Sequence, residues 1–549
     1  ARRAPPAPTR PPYAMKVVVT GGCGFLGLQV AKRLLAIGEL TSADDQKQEV
    51  REVVLFDSGT AKDLPKDPRL RVQPGDITDP AQCEKLVDED GMVVFHLASV
   101  MSGQGEEDFD LCWRVNMEGT RNLLEACRRR RNSKFIFASS GACFGERAAG
   151  PERDDTKLLP RTSYGMTKAC CELMINDYTR RNFLDGRTAR LPTVIPRPEV
   201  NSGLPGAFST VIREPLKGQS CVLNLSPDMK HAVCGFRVLA RNLLHLADLP
   251  QAALSDSMDR AMNLPCLSLS LSDLEQAVAS VVQDTAKLGK VSYAPDPALC
   301  EKLGSFHRDM DATRARQLGM VADSSAAAIA ADFAAEYVDA ALLKPIVELP
   351  QEPRHWLVFS NSHLRVFRVE NAPGDTTLMH VHRVDSLYFF YTPSSVQNTK
   401  WQEAPMDDLL QVGEVRYGDH GNCTLTHRIH NKARPLMMCL DVELAGFEAV
   451  RHAKRQKTEP PSVAGLKLIK ERPAARVYKL SLDAGAKGSF ALPFQRMLLL
   501  VHKGARVTGL GRGLLKPGDV FFQEGPMELT LEVIGSRHAL SLWLVELLY

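Results

Sequence analysis

Tyr164 and Lys168 stand four residues apart, a spacing that puts both side chains on one face of a helix, where an ammonium lies close enough to favour a phenolate. A tyrosine titrating near its ordinary value of about 10 is a poor base at neutral pH, and a neighbouring cation lowers that value. Ser140 follows the apolar run Phe135 to Ala138, which reads as a strand. A hydroxyl at such a strand end can hold an alcohol oxygen while the phenolate takes its proton. Together the three side chains suit oxidation of an alcohol, provided that a hydride acceptor is bound beside them. A Tyr and a Lys at this spacing also occur on plain helix surfaces, so the reading depends on the elements that would gather the three residues.

The stretch MKVVVTGGCGFLG, Met15 to Gly27, supplies the first of those elements. Lys16 to Thr20 reads as a strand buried on both faces of a parallel sheet. Gly21, Gly24 and Gly27 let the backbone turn tightly, approach a pyrophosphate and pack the next helix close to the strand. That helix, from about Phe25 to Ile37, points its positive end at the phosphates. A second strand, Val53 to Phe56, follows a polar insertion from Ser42 to Glu52 and ends in Asp57, which can accept hydrogen bonds from the adenosine ribose. Neither Ser58 nor Gly59 offers a cation for a 2′-phosphate, which favours NAD over NADP. A strand-end aspartate also caps turns. Leu70 to Val72 and GDITD (Gly75 to Asp79) form a third strand whose Asp76 is placed to reach the adenine edge, and Val93 to Leu97 a fourth, with Ala98 and Ser99 at its carboxyl end, where open parallel sheets bind ligands. Cys23 sits in the glycine loop at a helix N-terminus, where a thiol can be activated or can simply be small enough to fit.

With 549 residues the chain exceeds one hydrophobic core, and three or four domains are expected. Its 68 basic and 65 acidic residues leave a net charge of +3, so neither a nucleic-acid footprint nor an acidic tail is implied. The 13 cysteines, an odd number without metal-ligand spacing and including the adjacent Cys170 and Cys171, point to reduced thiols in a protein of the cytoplasm or an organellar matrix rather than a secreted one. No apolar run has transmembrane length. Residues 1–14 are rich in Arg and Pro, lack acids, and read as a disordered leader or the remainder of a transit segment.

Six motifs in order now carry a specific resemblance: TGGCGFLG, GDITD, FHLAS (Phe95 to Ser99), RVNMEGT (Arg114 to Thr120), FASSGACFG (Phe137 to Gly145) and SYGMTK (Ser163 to Lys168). The chain resembles the extended short-chain dehydrogenases/reductases. The resemblance implies a doubly wound α/β Rossmann-type domain with a small substrate-binding subdomain over residues 15–340. It implies Ser140, Tyr164 and Lys168 as catalytic residues. The implied cofactor site is Gly21, Gly24, Phe25, Leu26, Gly27, Asp57, Asp76, Ile77, Leu97, Ala98 and Asn116, together with Tyr164 and Lys168. Val100 to Cys127, Asn176 to Ile195, Phe208 to Gly218, Met262 to Leu271 and Tyr293 to Phe306 are similar to the branch of that family acting on D-erythronate. That similarity implies NAD-linked oxidation of the C2 hydroxyl of a short sugar acid, with Ser102, Gln104, Ser140 and Arg213 gripping the substrate. Two departures touch substrate choice: the loop Arg197 to Asn201 is shorter and more acidic than in the family, and Lys230 stands where the branch favours Arg. The family's paired helices imply a homodimer. A nucleotide-sugar epimerase and an assembly protein that keeps NAD for structure are the competing readings. The erythronate-like segments oppose the first, and the intact Ser140, Tyr164 and Lys168 oppose the second.

An alanine-rich helix, Ser324 to Tyr337, ends this portion, and the pattern then turns to short alternating strands. Residues 352–450 resemble a cupin barrel: Gly374 precedes His380 and His382, and His427 precedes Asn431. Residues two apart on a strand face the same way, so His380 and His382 can point inward with His427 approaching from another strand, a set that suits a divalent transition metal or a merely polar interior. Ser386 stands where the resemblance implies a glutamate ligand, and Asp385 is expected to face outward unless the strand bulges. Residues 463–549, after the basic linker Arg451 to Ser462, resemble a second, degenerate cupin half, with Gly485 and KPGD (Lys516 to Asp519) kept but Ala491 and Pro493 in place of histidines.

Overall fold

The computed structural model describes residues 14–61, 63–145, 150–200, 205–255, 257–304, 309–451, 459–510, 514–534 and 539–549. The leader (but for Ala14), Asn201 of the substrate loop and most of the basic linker lie outside the described residues. The chain divides into two units, residues 1–344 and 345–549.

In the first unit β1 (Ala14–Thr20) runs into the helix Phe25–Ile37, which buries Val30, Leu34 and Leu35 and stops where Gly38 takes φ 76°. The chain then forms β2 (Glu39–Thr41), β3 (Lys47–Asp57), β4 (Leu70–Pro74), β5 (Val93–His96), β6 (Lys134–Ser140) and β7 (Asp185–Leu191). The sheet order is Ala261–Asn263, β7, β6, β5, β1, β3, β2, with β4 also on β3. The large strands are parallel, and β2 alone runs antiparallel to β3. The chain leaves β1 in one direction for β3 and in the other for β5, so the crevice at their carboxyl ends is a topological switch point. The strand expected from Val53 begins earlier, at Lys47 within the polar insertion, because Leu40 and Val50 bury on one side while the polar residues between face water. A smaller three-stranded sheet, in the order Leu267–Ser270, Lys230–Gly235, β8 (Thr193–Ile195), stands beyond β7.

Among its described residues the second unit is β-sheet apart from loops and the single helical turns Leu349–Gln351 and Ala445–Glu448. One pair of five-stranded sheets spans Val347 to Glu443, and a five-stranded plus a three-stranded sheet span Leu466 to Leu547. Both parts contribute to one apolar core, in which Leu364, Val366, Phe389 and Leu440 of the first pack with Val477, Leu498, Leu500 and Trp543 of the second. The second part also has its own apolar interior, including Leu480, Phe490, Leu499 and Leu531.

Candidate functional site

A cleft of about 630 Å³ opens at the carboxyl ends of β1, β3, β5 and β6. Gly21 lies at its foot with φ 67°, and a Cβ there would stand 2.7 Å from the Ala98 backbone nitrogen, so neither the turn nor the close approach admits a side chain. Gly24 caps the following helix without a side-chain bond and no acid occupies the first turn, which leaves backbone N–H groups for an anion. Asp57, at the end of β3, accepts from the backbone N–H groups of Cys23 (3.0 Å) and Gly59 (2.9 Å) and so ties the glycine loop to the second strand. Burial and the Asp57 charge push the Cys23 thiol up, which makes it less reactive. Phe56, Asp57, Ser58, Asp76 and Ile77 line the adenosine end of this cleft without a cation. A cradle built of glycine, free helix N–H groups and an uncountered aspartate fits a dinucleotide that lacks a 2′-phosphate. Asp57→Ala should raise the Michaelis constant for NAD through a loss of roughly 1.5–3 kcal/mol, read from initial rates at saturating substrate. An unchanged constant, or a native preference for NADP, would overturn the assignment.

At the other end Ser140 terminates β6 and accepts from the Ala142 N–H at 3.1 Å. The helix Ser163–Arg180, capped by Thr162, carries Tyr164 and Lys168 on its inner face. Ser140 and Tyr164 line the cleft together, and the Lys168 ammonium donates to the Ala138 carbonyl at 2.9 Å while lying 5.6 Å from the centre of the Tyr164 ring. The structure thus brings the three residues together. Burial outweighs the lowering by the Ser140 hydroxyl and the Arg197 charge and pushes the Tyr164 phenol up to about 12, and it pulls Lys168 down to about 8.

Gly21, Gly24, Phe25, Leu26, Gly27, Asp57, Asp76, Ile77, Leu97, Ala98, Ser102, Gln104, Ser140, Tyr164 and Lys168 all line this one cleft, whereas Asn116 and Arg213 do not. Asn116 is buried behind the wall, where its Oδ1 accepts from the Val100 N–H (2.8 Å) and its Nδ2 donates to the Val100 carbonyl (3.2 Å), so it braces the loop after β5. Arg213 belongs to the helix Ala207–Leu216 and is buried, donating to Glu214 (2.6 Å) and to the Arg197 carbonyl (3.1 Å). Lys230 is exposed and outside the lining. The guanidinium that does line the cleft is that of Arg197, just beyond β8, 5.7 Å from the Phe25 ring centre and without an acidic partner among the described residues. Beside it are Thr193 and His231, joined at 2.7 Å. The available sequence signal for Arg197 was its place at a strand's carboxyl end.

The second unit gathers imidazoles. His380 and His382 are buried on the strand His380–His382, and His380 lies directly across from His427. Ring centres are 5.0 Å apart for His380 and His382, 4.8 Å for His380 and His427, and 5.1 Å for His382 and His427. Burial and the neighbouring imidazoles hold His380 down at about 4 and His382 and His427 well below the ordinary value, so these three are neutral at pH 7. Asp385 is fully buried, its carboxylate engaged by Arg451, Tyr417 and the Gly421 N–H. The sequence reading missed His355, which joins His380 and His382 with nitrogens within 4.8 Å of one another. Its only advance sign was a carboxylate, Glu352, three residues earlier.

Residues 17–252 match the model of the NAD dependent epimerase/dehydratase family. The chain is 37% identical over 313 residues to D-erythronate dehydrogenase of Cupriavidus necator, covering 57% of this chain and 95% of that protein. It is 34% identical to D-erythronate dehydrogenase of Haemophilus influenzae, with 57% and 96% covered. Among solved structures, the nucleoside-diphosphate-sugar epimerase from Agrobacterium tumefaciens superposes with a TM-score of 0.55 at 31% identity, over 60% of this chain and 96% of that one. The Rossmann-type sheet, the glycine cradle and these likenesses place the chain in the NAD dependent epimerase/dehydratase family. It is an NAD-dependent enzyme of the oxidoreductase class. Among the described residues no helix is long and apolar enough to cross a membrane.

Proposed function

We propose that residues 15–340 oxidise the C2 hydroxyl of a short sugar acid such as D-erythronate to the 2-oxo acid. The observation that carries this reading is the meeting, in one cleft, of the Ser140–Tyr164 pair with the unopposed cation Arg197. The bound NAD supplies the hydride acceptor. Ser140 holds the substrate oxygen, Tyr164 takes the hydroxyl proton, and Lys168, anchored on the Ala138 carbonyl, fixes the phenol's position and adds positive charge beneath it. Arg197 grips the carboxylate in place of Arg213, whose part is to hold the Arg197 carbonyl. Ser102 and Gln104 offer partners to the remaining hydroxyls. Asn116 acts on the cofactor only through the Val100 loop that it braces.

Short aldonic acids, screened for NADH release with nucleotide sugars as competitors, test this. D-erythronate or a close homologue should give free NADH, and nucleotide sugars should not compete. Epimerised sugar with no free NADH would favour a nucleotide-sugar epimerase, a reading prompted by the likeness to the Agrobacterium tumefaciens protein.

The helices flanking the site leave Phe109 (52%), Trp113 (40%) and Leu173 (66%) exposed, which supports pairing of two copies through this face. Light scattering at micromolar concentration should give a dimer mass, and a monomer would overturn this. For the second unit we propose two cupin-like halves, residues 352–450 and 463–549, the first holding one divalent transition metal on His380, His382 and His427. In the second half the interior that would hold a metal is filled by Phe490, Leu499 and their neighbours.

A further inference from the structure

We infer that the metal centre in the second unit has four imidazole ligands, the fourth being His355, with Glu352 as the carboxylate that aims it. This rests on the reading of His380, His382 and His427 as metal ligands. The His355 Nδ1 lies 2.7 Å from a carboxylate oxygen of Glu352, which can only accept when ionised. The His380 Nδ1 lies 2.8 Å from the Leu378 carbonyl, which can only accept. The His427 Nδ1 faces the Asn398 Oδ1 at 3.1 Å. The His382 Nδ1 is 3.5 Å from an Asp441 carboxylate oxygen and 3.3 Å from the Tyr388 hydroxyl.

At His355, His380 and His427 the Nδ1 faces an oxygen that accepts, an arrangement in which the ring donates outward and keeps its Nε2 lone pair for the interior, while the His382 Nδ1 has the Tyr388 hydroxyl within reach. His380 Nε2 is buried with no hydrogen-bond partner among the described residues, and the Nε2 atoms of His382 and His427 stand 3.2 Å apart. Converging lone pairs repel, and an orphaned buried nitrogen is costly, unless a cation sits between them. Imidazoles whose second nitrogen donates to a carboxylate or a carbonyl are the usual form of metal-binding histidine. His355 satisfies this description as fully as His380 does, and its ring centre lies 4.7 Å from that of His380 and 6.2 Å from that of His382.

Glu352 is built for the aiming role. It is fully buried, its second oxygen accepts from the Leu378 N–H at 3.1 Å, and Arg354 lies 3.4 Å away. The same loop that carries Glu352 is thus pinned to the residue whose carbonyl orients His380. A fourth imidazole nitrogen stands in for the carboxylate ligand that Ser386 does not supply. The set suits a nitrogen-preferring ion such as Zn²⁺, Co²⁺, Ni²⁺ or Cu²⁺ over Mg²⁺ or Ca²⁺.

The test is Co²⁺ titration of the metal-stripped full-length chain, followed by its visible absorption. The chain with His380 and His382 both replaced by Ala should bind no Co²⁺ at this site. His355→Ala should bind at least about tenfold more weakly than the native chain with an altered spectrum, and Glu352→Gln should weaken binding by roughly 10–100-fold. Native affinity and spectrum in His355→Ala, with binding lost in the double variant, would overturn the fourth ligand and keep the three-histidine centre. Absence of Co²⁺ binding by the native chain would overturn both. Should His355→Ala fail to fold, X-ray absorption of the zinc-loaded native chain decides: four imidazoles support the proposal and three refute it.

Discussion

Tyr164→Phe is expected to lower turnover of a short 2-hydroxy sugar acid at least about 100-fold while leaving NAD affinity nearly unchanged. The substitution removes one oxygen. Phenylalanine keeps the ring packed in the same wall, and the glycine cradle, Asp57 and the free helix N–H groups that fit the dinucleotide are untouched. The pH profile gives a second readout with a definite sign. A base must be deprotonated, and burial holds the Tyr164 phenol up at about 12, so below that value its reactive fraction rises with pH, at most tenfold per unit. Oxidation should therefore climb from pH 6 to 9. Lys168, pulled down to about 8, loses its charge above that pH and makes the upper part of the climb shallower. The reverse reduction needs the protonated phenol and should show no such climb. Near-native turnover in Tyr164→Phe, or an oxidation rate flat with pH, would mean that another group takes the proton.

The second large effect concerns Arg197. Its removal to Ala should lower kcat/KM for the sugar acid by roughly tenfold to 150-fold, the equivalent of about 1.5–3 kcal/mol for a charge-assisted hydrogen bond to a carboxylate. Arg197→Lys should recover only part of this, since an ammonium cannot make two parallel bonds. A neutral substrate analogue, such as the corresponding amide, should be nearly insensitive to both changes. That comparison separates recognition of charge from general damage to the cleft. Arg213→Ala, by contrast, acts only through the Arg197 carbonyl and Glu214 contacts and should be rescued in part by a conservative Lys. An Arg197→Ala enzyme with unchanged kcat/KM for the acid would remove it from the site.

The legible parts of this chain were those in which local pattern and tertiary role coincide. The helix Phe25–Ile37 has glycine at both ends and a 3.6-residue apolar period between them, so its bounds could be read directly. The Tyr164–Lys168 spacing placed both on one helix face, and the cleft contains them. What failed were statements about which face of an element meets which neighbour. Arg213 and Arg197 are both arginines near the same sheet edge, but only the packing of the helix Ala207–Leu216 decides that Arg213 is buried against Glu214. The strand β3 was read too short because Lys47 to Glu52 is polar by composition, while the hairpin with β2 needs only one buried side chain in it, Val50. That Arg451 covers Asp385 has no local sign, because the pair spans 66 residues. His355 lies 25 residues before His380, a separation recorded in no local spacing and closed only by the folding of the sheets.

The apolar core shared by the two parts of the second unit has a consequence for how that region persists and how it can be handled. Trp543 and Leu498 come from the segment without histidines, yet they pack with Phe389 and Leu440 of the segment that carries them. Cutting the chain in the linker near residue 460 would strip both fragments of half of one interior and expose indole and leucine surface to water. The region should therefore unfold in a single transition, and neither fragment should be recoverable alone in soluble form. Side chains free of any ligand duty in the later segment remain under constraint through the stability of the earlier one, so substitutions at Trp543 should diminish metal occupancy without approaching the imidazoles.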